Sequence, residues 1–271
     1  MKVVLGIDAA WTLHNPSGLA LAINEIGRWY LAAVAQSYQR FYALADPEFT
    51  IATGPISESP DVDRLLFSAK AISTQSVDLI AVDMPMAHLP ITKRRTSDTM
   101  ISKIFGGRKC STHSPSAERP GRISDDLRKS FGEAGYDLQT NKLVTQGLIE
   151  VYPHPALLEL MNAGERLPYK LSKTSVYWPN IHLLERRRRL LEQWNRITAQ
   201  LDKHISGVVA ALPLPAIDAS TISLKAYEDS LDAVICTWIA ICVLEGNSDA
   251  YGDDNSAIWV PNLRRTELQS A

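Results

Sequence analysis

Three apolar runs separated by short polar turns open this chain, and they constrain the fold more than anything that follows. Val3-Val4-Leu5-Gly6-Ile7 ends in Asp8, Asn15-Pro16-Ser17-Gly18 leads into Leu19–Ile23, and Asn24–Arg28 turns the chain into Trp29–Ala35. β-rich runs this closely spaced predict an antiparallel meander. Val62, Leu65, Leu66, Ala69 and Ile72 then recur with a helical period, with Ser59 or Asp61 as N-cap, predicting a helix over Asp61–Ser73. Leu79–Val82 follows as a buried parallel return strand ending in Asp83-Met84-Pro85, which makes the core α/β.

Residues 86–146 lack a clean period and read as a long insertion with short helices after the fourth strand. Leu148–Tyr152 is a fifth strand closed by Pro153 and Pro155, with a helix over Ala156–Asn162. A long amphipathic helix is expected over Ile181–Ile205, with Leu183, Leu184, Leu190, Leu191, Trp194, Ile197 and Leu201 inside. Lys225–Leu244 forms the last helix and Ala257–Pro261 a closing edge strand. With no internal repeat and no linker, residues 1–271 read as one domain.

With 45% hydrophobic and 21% charged residues the chain can bury a sizeable core, and its net charge of −2 neither favours nor excludes a polyanionic partner. Cys110, Cys236 and Cys242 form no CxxC pair, which suits a reducing compartment. Asp8 interrupts the N-terminal apolar run before a signal-peptide core develops, and Ala233–Leu244 is too short to span a bilayer. The expectation is a cytoplasmic protein without membrane association. No GxxxxGK[ST] or GxGxxG motif is present, which disfavours P-loop and Rossmann enzymes.

Asp8 and Asp83 each end an apolar strand; if those strands are neighbours, both carboxylates lie at one sheet edge. Glu228, Asp229 and Asp232 fall within one helical turn, with Asp229 and Asp232 at i, i+3. Small residues on that face, Ala233, Cys236 and Ala240, let the helix approach the sheet. Hard oxygen ligands in such a cluster suit Mg²⁺ or Mn²⁺, and two such ions about 3.5–4 Å apart can activate water and stabilise the leaving oxygen of a phosphodiester. Taken singly, an acid after a strand is more often a turn or cap residue, and Glu228–Asp232 is more often a solvated first turn.

Gly6-Ile7-Asp8, the hairpin, a strand-end acid and a late Asp-x-x-Asp-Ala resemble the ribonuclease H-like superfamily, in particular its Holliday-junction resolvase branch. The chain more closely resembles the uncharacterised domain of unknown function 429 family, described as predicted ribonuclease H-fold nucleases. The matching segments are Gly6–Trp11, Ala81–Pro85, Arg95–Asp98, Glu150–Pro155, Tyr169-Lys170, Asp229–Ala233 and Ile258–Pro261. That likeness implies a ribonuclease H-like α/β fold: a mixed five-stranded sheet, antiparallel meander plus parallel strands, flanked by helices. It implies Asp8, Asp83 and Asp232 as metal ligands, Asp229 as their partner, and Glu150 pointing into the same site. Two departures stand out: the resolvase branch has Glu where Asp83 stands, and the family often has an acid where His154-Pro155 stands.

His154 is a candidate acid-base or ligand, against a packing role beside two prolines. Arg95 and Arg122, with Arg94, Arg108, Lys109, Arg119 and His113, make the insertion basic and suited to phosphate contact. Lys170 joins them through the family motif, although an exposed lysine is the default. Arg186–Arg189 spread around a helix and read as a solvated surface. The leading expectation is a Mg²⁺- or Mn²⁺-dependent nuclease in which Asp8, Asp83, Asp232 and Glu150 are catalytic and the partner is DNA or RNA. A homodimer, as in many resolvases, is left open. So are a non-catalytic ribonuclease H-fold binding module and a Mg-nucleotide-binding phosphotransferase-like protein.

Overall fold

The opening meander forms as expected: β1 (Lys2–Asp8), β2 (Gly18–Glu25) and β3 (Arg28–Ala35) pair antiparallel in succession. The computed structural model describes residues 1–12, 14–51, 60–142 and 146–263. Next come α1 (Tyr38–Ala45), α2 (Val62–Ser73), β4 (Leu79–Val82), α3 (Thr96–Phe105), α4 (Arg122–Glu133) and β5 (Gly147–Val151). The chain continues through α5 (Pro153–Leu160), α6 (Thr174–Tyr177), α7 (Leu183–Leu201), α8 (Val208–Ala211) and α9 (Thr221–Leu244), then closes with β6 (Ser248–Gly252) and β7 (Ala257–Pro261). Asp61 caps α2 by accepting from the Arg64 N–H, while Ser59 lies outside the described residues.

Among the described residues the sheet has seven strands, not five, in the order β3-β2-β1-β4-β5-β7-β6. β4 is parallel to β1 and to β5, β7 is parallel to β5, and β6 is antiparallel to β7. β7 is therefore an interior strand. The missed strand, β6, is Ser-Asp-Ala-Tyr-Gly, a polar edge with little β propensity of its own. α1 is likewise unexpected, although Tyr38, Phe41 and Tyr42 recur at helical spacing behind Ser37 as its N-cap. Pro153 opens α5 at its first turn instead of merely closing β5, because proline lacks only an N–H that the first turn leaves free anyway. In α7 the core side is narrower than expected: Leu190, Trp194, Ile197 and Leu201 are buried, but Leu183 and Leu184 are exposed at its first turn.

Side-chain alternation divides the strands between two cores. Val4, Ala20, Ala22, Leu79, Ala81, Ile149 and Val151 face a layer built from α5, α7 and α9. Val3, Leu5, Ile7, Ile80, Val82 and Leu148 face the opposite layer, with α1, α2 and α4. α9 is apolar almost all round and buried from Tyr227 to Val243, as a helix inside a core must be. Among the described residues no helix is long and apolar enough to cross a membrane.

α9 lies unusually close to the meander because two glycines leave room for it. A Cβ on Gly6 would sit 2.3 Å from the Ala233 carbonyl oxygen, and one on Gly18 would sit 2.1 Å from that of Asp229. Gly18→Ala is therefore expected to push α9 off β2, costing about 1–3 kcal/mol by overpacking and displacing Asp229. A urea-denaturation series checks it: an unchanged midpoint would mean that the helix does not seat against Gly18 at all closely.

Candidate metal centre

The same alternation decides which acids meet. Asp8 continues the parity of Val4 and Gly6, and Asp83 continues that of Leu79 and Ala81, so both strand-end carboxylates turn toward α9. On α9, Asp229 and Asp232 lie one turn apart and return the approach. Carboxylate oxygens of Asp8, Asp229 and Asp232 come within 4.8 Å of one another. Asp83 is close enough to Asp232 and Asp8 to repel them, but it does not belong to that trio.

α9 begins four residues earlier than the sequence pattern suggested, capped by Ser220. Glu228, Asp229 and Asp232 are therefore well inside the helix, and all three are buried, so they are not a solvated first turn. Two lysines answer part of their charge. Lys170 Nζ ion-pairs with Asp232 and stands 3.8 Å from Glu228 Oε1. Lys225, placed i−3 and i−4, pairs with Glu228 at 3.2 Å and with Asp229. The Tyr169 hydroxyl donates to Asp232 Oδ1 at 2.8 Å, and the Leu171 N–H donates to Glu228 Oε2 at 2.5 Å. Trp194 Nε1 holds the Tyr169 carbonyl at 2.8 Å, fixing the 169–171 segment over the helix.

Five carboxylates and two ammonium groups share this volume, so charge balance is incomplete when all are ionised. Burial, then Asp232, raise the Asp8 carboxyl well above the ordinary range, against the pull of Lys170. Burial lifts Asp83 to about 7, again opposed by Lys170 and assisted by Asp232. Burial also raises Asp229 against Lys225, and Glu228 against Lys170. Lys170 stays protonated despite its burial because Asp232, Tyr169 and Glu228 favour the charged form.

These shifts fix a pH dependence. Asp83 binds a proton more tightly folded than unfolded, so its contribution is full below about pH 4 and is lost as pH rises through about 7. Urea melts in EDTA are expected to show lower stability at pH 8 than at pH 5, with Mn²⁺ restoring the difference. A flat profile would contradict the crowding of these acids.

A family model described as protein of unknown function (DUF429) matches residues 6–256. The chain belongs to the DUF429 family. None of the curated proteins matches it. Solved structures with some likeness to the DUF429 chain include the Aquifex aeolicus PPX-GPPA enzyme, 10% identical with a TM-score of 0.17, covering 100% of this chain and 99% of that one. The type II variant of the Aquifex aeolicus Ppx/GppA phosphatase is 11% identical with the same TM-score, covering 100% and 99%. Likeness that slight carries no argument about fold or function.

Other expected site residues of the DUF429 chain fall elsewhere. Glu150 shares parity with Leu148, so it points to the face opposite α9 and does not join the trio. There it accepts from Arg95 Nη2 at 2.7 Å, from Arg95 Nη1 and from the Met86 N–H at 2.7 Å. Arg95 is buried, and all five of its N–H groups are committed: to Asp98 at 3.0 and 2.8 Å, to Glu150 twice, and to the Met86 carbonyl at 2.7 Å. It therefore braces the insertion against β5 and has no free donor for a phosphate. Arg94 bonds Ser114, Ser102 and the Asp98 carbonyl, Arg108 bonds the carbonyls of Ala163 and Gly164, and Lys109 pairs with Glu165. Irregular backbone needs such partners, which is why a basic insertion is here mostly an internally tied one.

Arg122 is exposed at the start of α4, on the rim of a cleft of about 510 Å³ that Ala9, Ala10, Met84, Tyr38 and Ile123 also line. The cleft thus opens beside the residues that follow Asp8 and Asp83. Lys170, far from being an exposed lysine, is held inside the acid cluster. His154 is buried between the rings of Tyr152 and Tyr169, at 5.2 and 5.4 Å, and outside the carboxylate trio. Burial, then Lys170 and Arg166, push its pKa well below the ordinary value, so it stays neutral. Arg188 and Arg189 pair with Glu185, and Arg188 also with Glu192, as a solvated helix face would. Cys236 and Cys242 are buried core thiols raised by burial. Lys225 is a site residue that sequence reasoning missed, although its helical spacing to Glu228 and Asp229 was a sufficient signal.

Proposed function

We propose that the chain is a divalent-metal-dependent phosphodiesterase of the ribonuclease H-like kind, acting on nucleic acid. The observation that carries this reading is the convergence of Asp8, Asp229 and Asp232, from β1 and α9, with oxygens within 4.8 Å and charge still unbalanced. The β3-β2-β1-β4-β5 portion of the sheet, antiparallel then parallel, supports the same reading. The donor set fits the ion: three hard carboxylate oxygens suit Mg²⁺ or Mn²⁺, and the neighbouring Cys236 thiol is too weakly acidic to compete. When bound, such an ion supplies Lewis acidity at the phosphoryl oxygen and eases deprotonation of water.

The chain's own residues divide the remaining work. Asp8, Asp229 and Asp232 hold the cation. Asp83, close by but outside the trio and titrating at about 7, accepts the proton of the attacking water at a carboxylate oxygen. Tyr169 orients Asp232 through its 2.8 Å bond, and Lys170 balances charge on the same carboxylate until the cation takes its place. The cleft beside Ala9 and Met84, with Arg122 at its rim, would seat the polynucleotide.

The test is cleavage of labelled DNA and RNA oligonucleotides with Mn²⁺, run beside Asp83→Asn. Wild type is expected to cleave with a rate that climbs as Asp83 deprotonates, at a pH below about 7 because the bound cation favours its carboxylate. Asp83→Asn should lose at least about a hundred-fold in rate while binding Mn²⁺ normally. Unimpaired cleavage by Asp83→Asn refutes the base; absence of Mn²⁺-dependent cleavage refutes the function. One observation favours a second reading. Lys170 and Lys225 already supply cations to the cluster, as they would in a non-catalytic, salt-bridged binding module. That reading requires Mn²⁺ to leave the melting temperature unchanged.

A further inference from the structure

Among the described residues, four buried side-chain polar atoms lack a hydrogen-bond partner: Arg128 Nε, His154 Nδ1, Arg166 Nε and Tyr177 OH. Three of the four belong to one neighbourhood. Arg166 acts electrostatically on His154, Tyr152, Tyr177 and Cys110, and Lys170 acts on the first three of these. Buried polar atoms are nearly always paired, so orphans gathered in one place imply an absent partner. The groups that feel Arg166 there are neutral, and among the described residues no carboxylate forms an ion pair with it.

Arg166 is also held in place. Its N–H donates to the Arg108 carbonyl at 2.9 Å, and the Arg108 guanidinium ties down Gly164 at 3.1 Å and Ala163. The Tyr177 phenol lies against the Arg166 guanidinium and the Lys170 backbone without a well-formed bond to either. His154 stands at the second position of α5, so the positive end of that helix faces the same neighbourhood. The Arg166 guanidinium lies within electrostatic reach of both the Tyr177 phenol and the His154 imidazole, each from a different element, and polar groups of this kind suit an oxyanion.

We propose that Arg166, Tyr177 and His154 form a subsite for a phosphoryl group of the substrate, separate from the carboxylate trio and joined to it by Lys170. The inference rests on the phosphodiesterase reading for the identity of the anion. Lys170 links the two centres, since its ammonium pairs with Asp232 while its charge reaches His154, Tyr152 and Tyr177. A phosphate held at Arg166 would therefore share the influence of Lys170 with the acids. Neither Arg166 nor Tyr177 stands out in the sequence, because nothing in a linear pattern reports that a polar atom lacks a partner.

The experiment titrates inorganic phosphate into the full chain in EDTA at constant ionic strength, followed by calorimetry and thermal melting. Wild type, Arg166→Gln, Arg166→Lys, Tyr177→Phe and Asp232→Asn are compared. Wild type is expected to bind phosphate saturably, Arg166→Gln at least ten-fold more weakly and Tyr177→Phe several-fold more weakly. Arg166→Lys keeps the charge but loses the fork, so it should also bind more weakly. Asp232→Asn should bind phosphate at least as well as wild type, since it removes a negative charge from Lys170 and none from the subsite. No saturable binding by wild type, or equal binding by the Arg166 and Tyr177 variants, overturns the subsite. If Arg166→Gln does not fold, Arg166→Lys and Tyr177→Phe decide the question in the same way. Loss of phosphate binding with Mn²⁺ binding intact refutes only the subsite, whereas phosphate binding without any Mn²⁺-dependent cleavage refutes only the hydrolytic reading.

Discussion

Asp232→Asn is expected to abolish Mn²⁺ binding and to lower phosphodiesterase activity by about a thousand-fold or more. A ligand to a catalytic ion supports several kcal/mol of transition-state stabilisation, and each 1.36 kcal/mol or so is a decade in rate. Asp232 is fully buried and belongs to the oxygen trio, and one of its oxygens already accepts from Tyr169. An amide keeps the shape but loses the charge that balances both a cation and Lys170. Calorimetry with Mn²⁺ and single-turnover cleavage measure the two effects separately. Retention of both would remove Asp232 from the site.

The largest effect on stability lies on the other face of the sheet. Arg95→Met leaves Asp98 and Glu150 buried with no cation between them, and breaking a buried pair from one side costs about 3–5 kcal/mol. At this chain length that corresponds to a fall in Tm on the order of 10 °C. Replacing Asp98 and Glu150 by Asn and Gln in the same background should recover part of the loss, since the penalty comes mainly from uncompensated charge. Urea and thermal melts decide it: a shift below about 1 kcal/mol, the scale of an exposed pair, would mean that Arg95 does not brace the insertion.

How far these features could be read from the chain depends on whether the information is local. Asp8 and Asp83 were legible because each ends an apolar run, and Asp229 and Asp232 because i, i+3 spacing and small neighbours mark one helix face. Glu150 was misdirected although the correction was available: parity with Leu148, not with Ile149, sends it away from α9. Arg95 and Lys170 were misread for a different reason. A sequence shows a charge but not its partner, and both cations find buried carboxylates far along the chain, at Glu150 and Asp232. β6 was invisible because an edge strand needs only one neighbour and tolerates polar residues on both faces. The close seat of α9 was half legible: its own small residues mark a face, while the matching Gly6 and Gly18 show their purpose only once β1 and β2 are packed against it.

The central claim is that Asp8, Asp229 and Asp232 form one cation site, and a manganese-soaked crystal tests it most directly. An anomalous peak in contact with all three carboxylates, with the Lys170 ammonium withdrawn from Asp232, is the expected result. A map without such a peak at saturating Mn²⁺, with Lys170 still seated on Asp232, would contradict it.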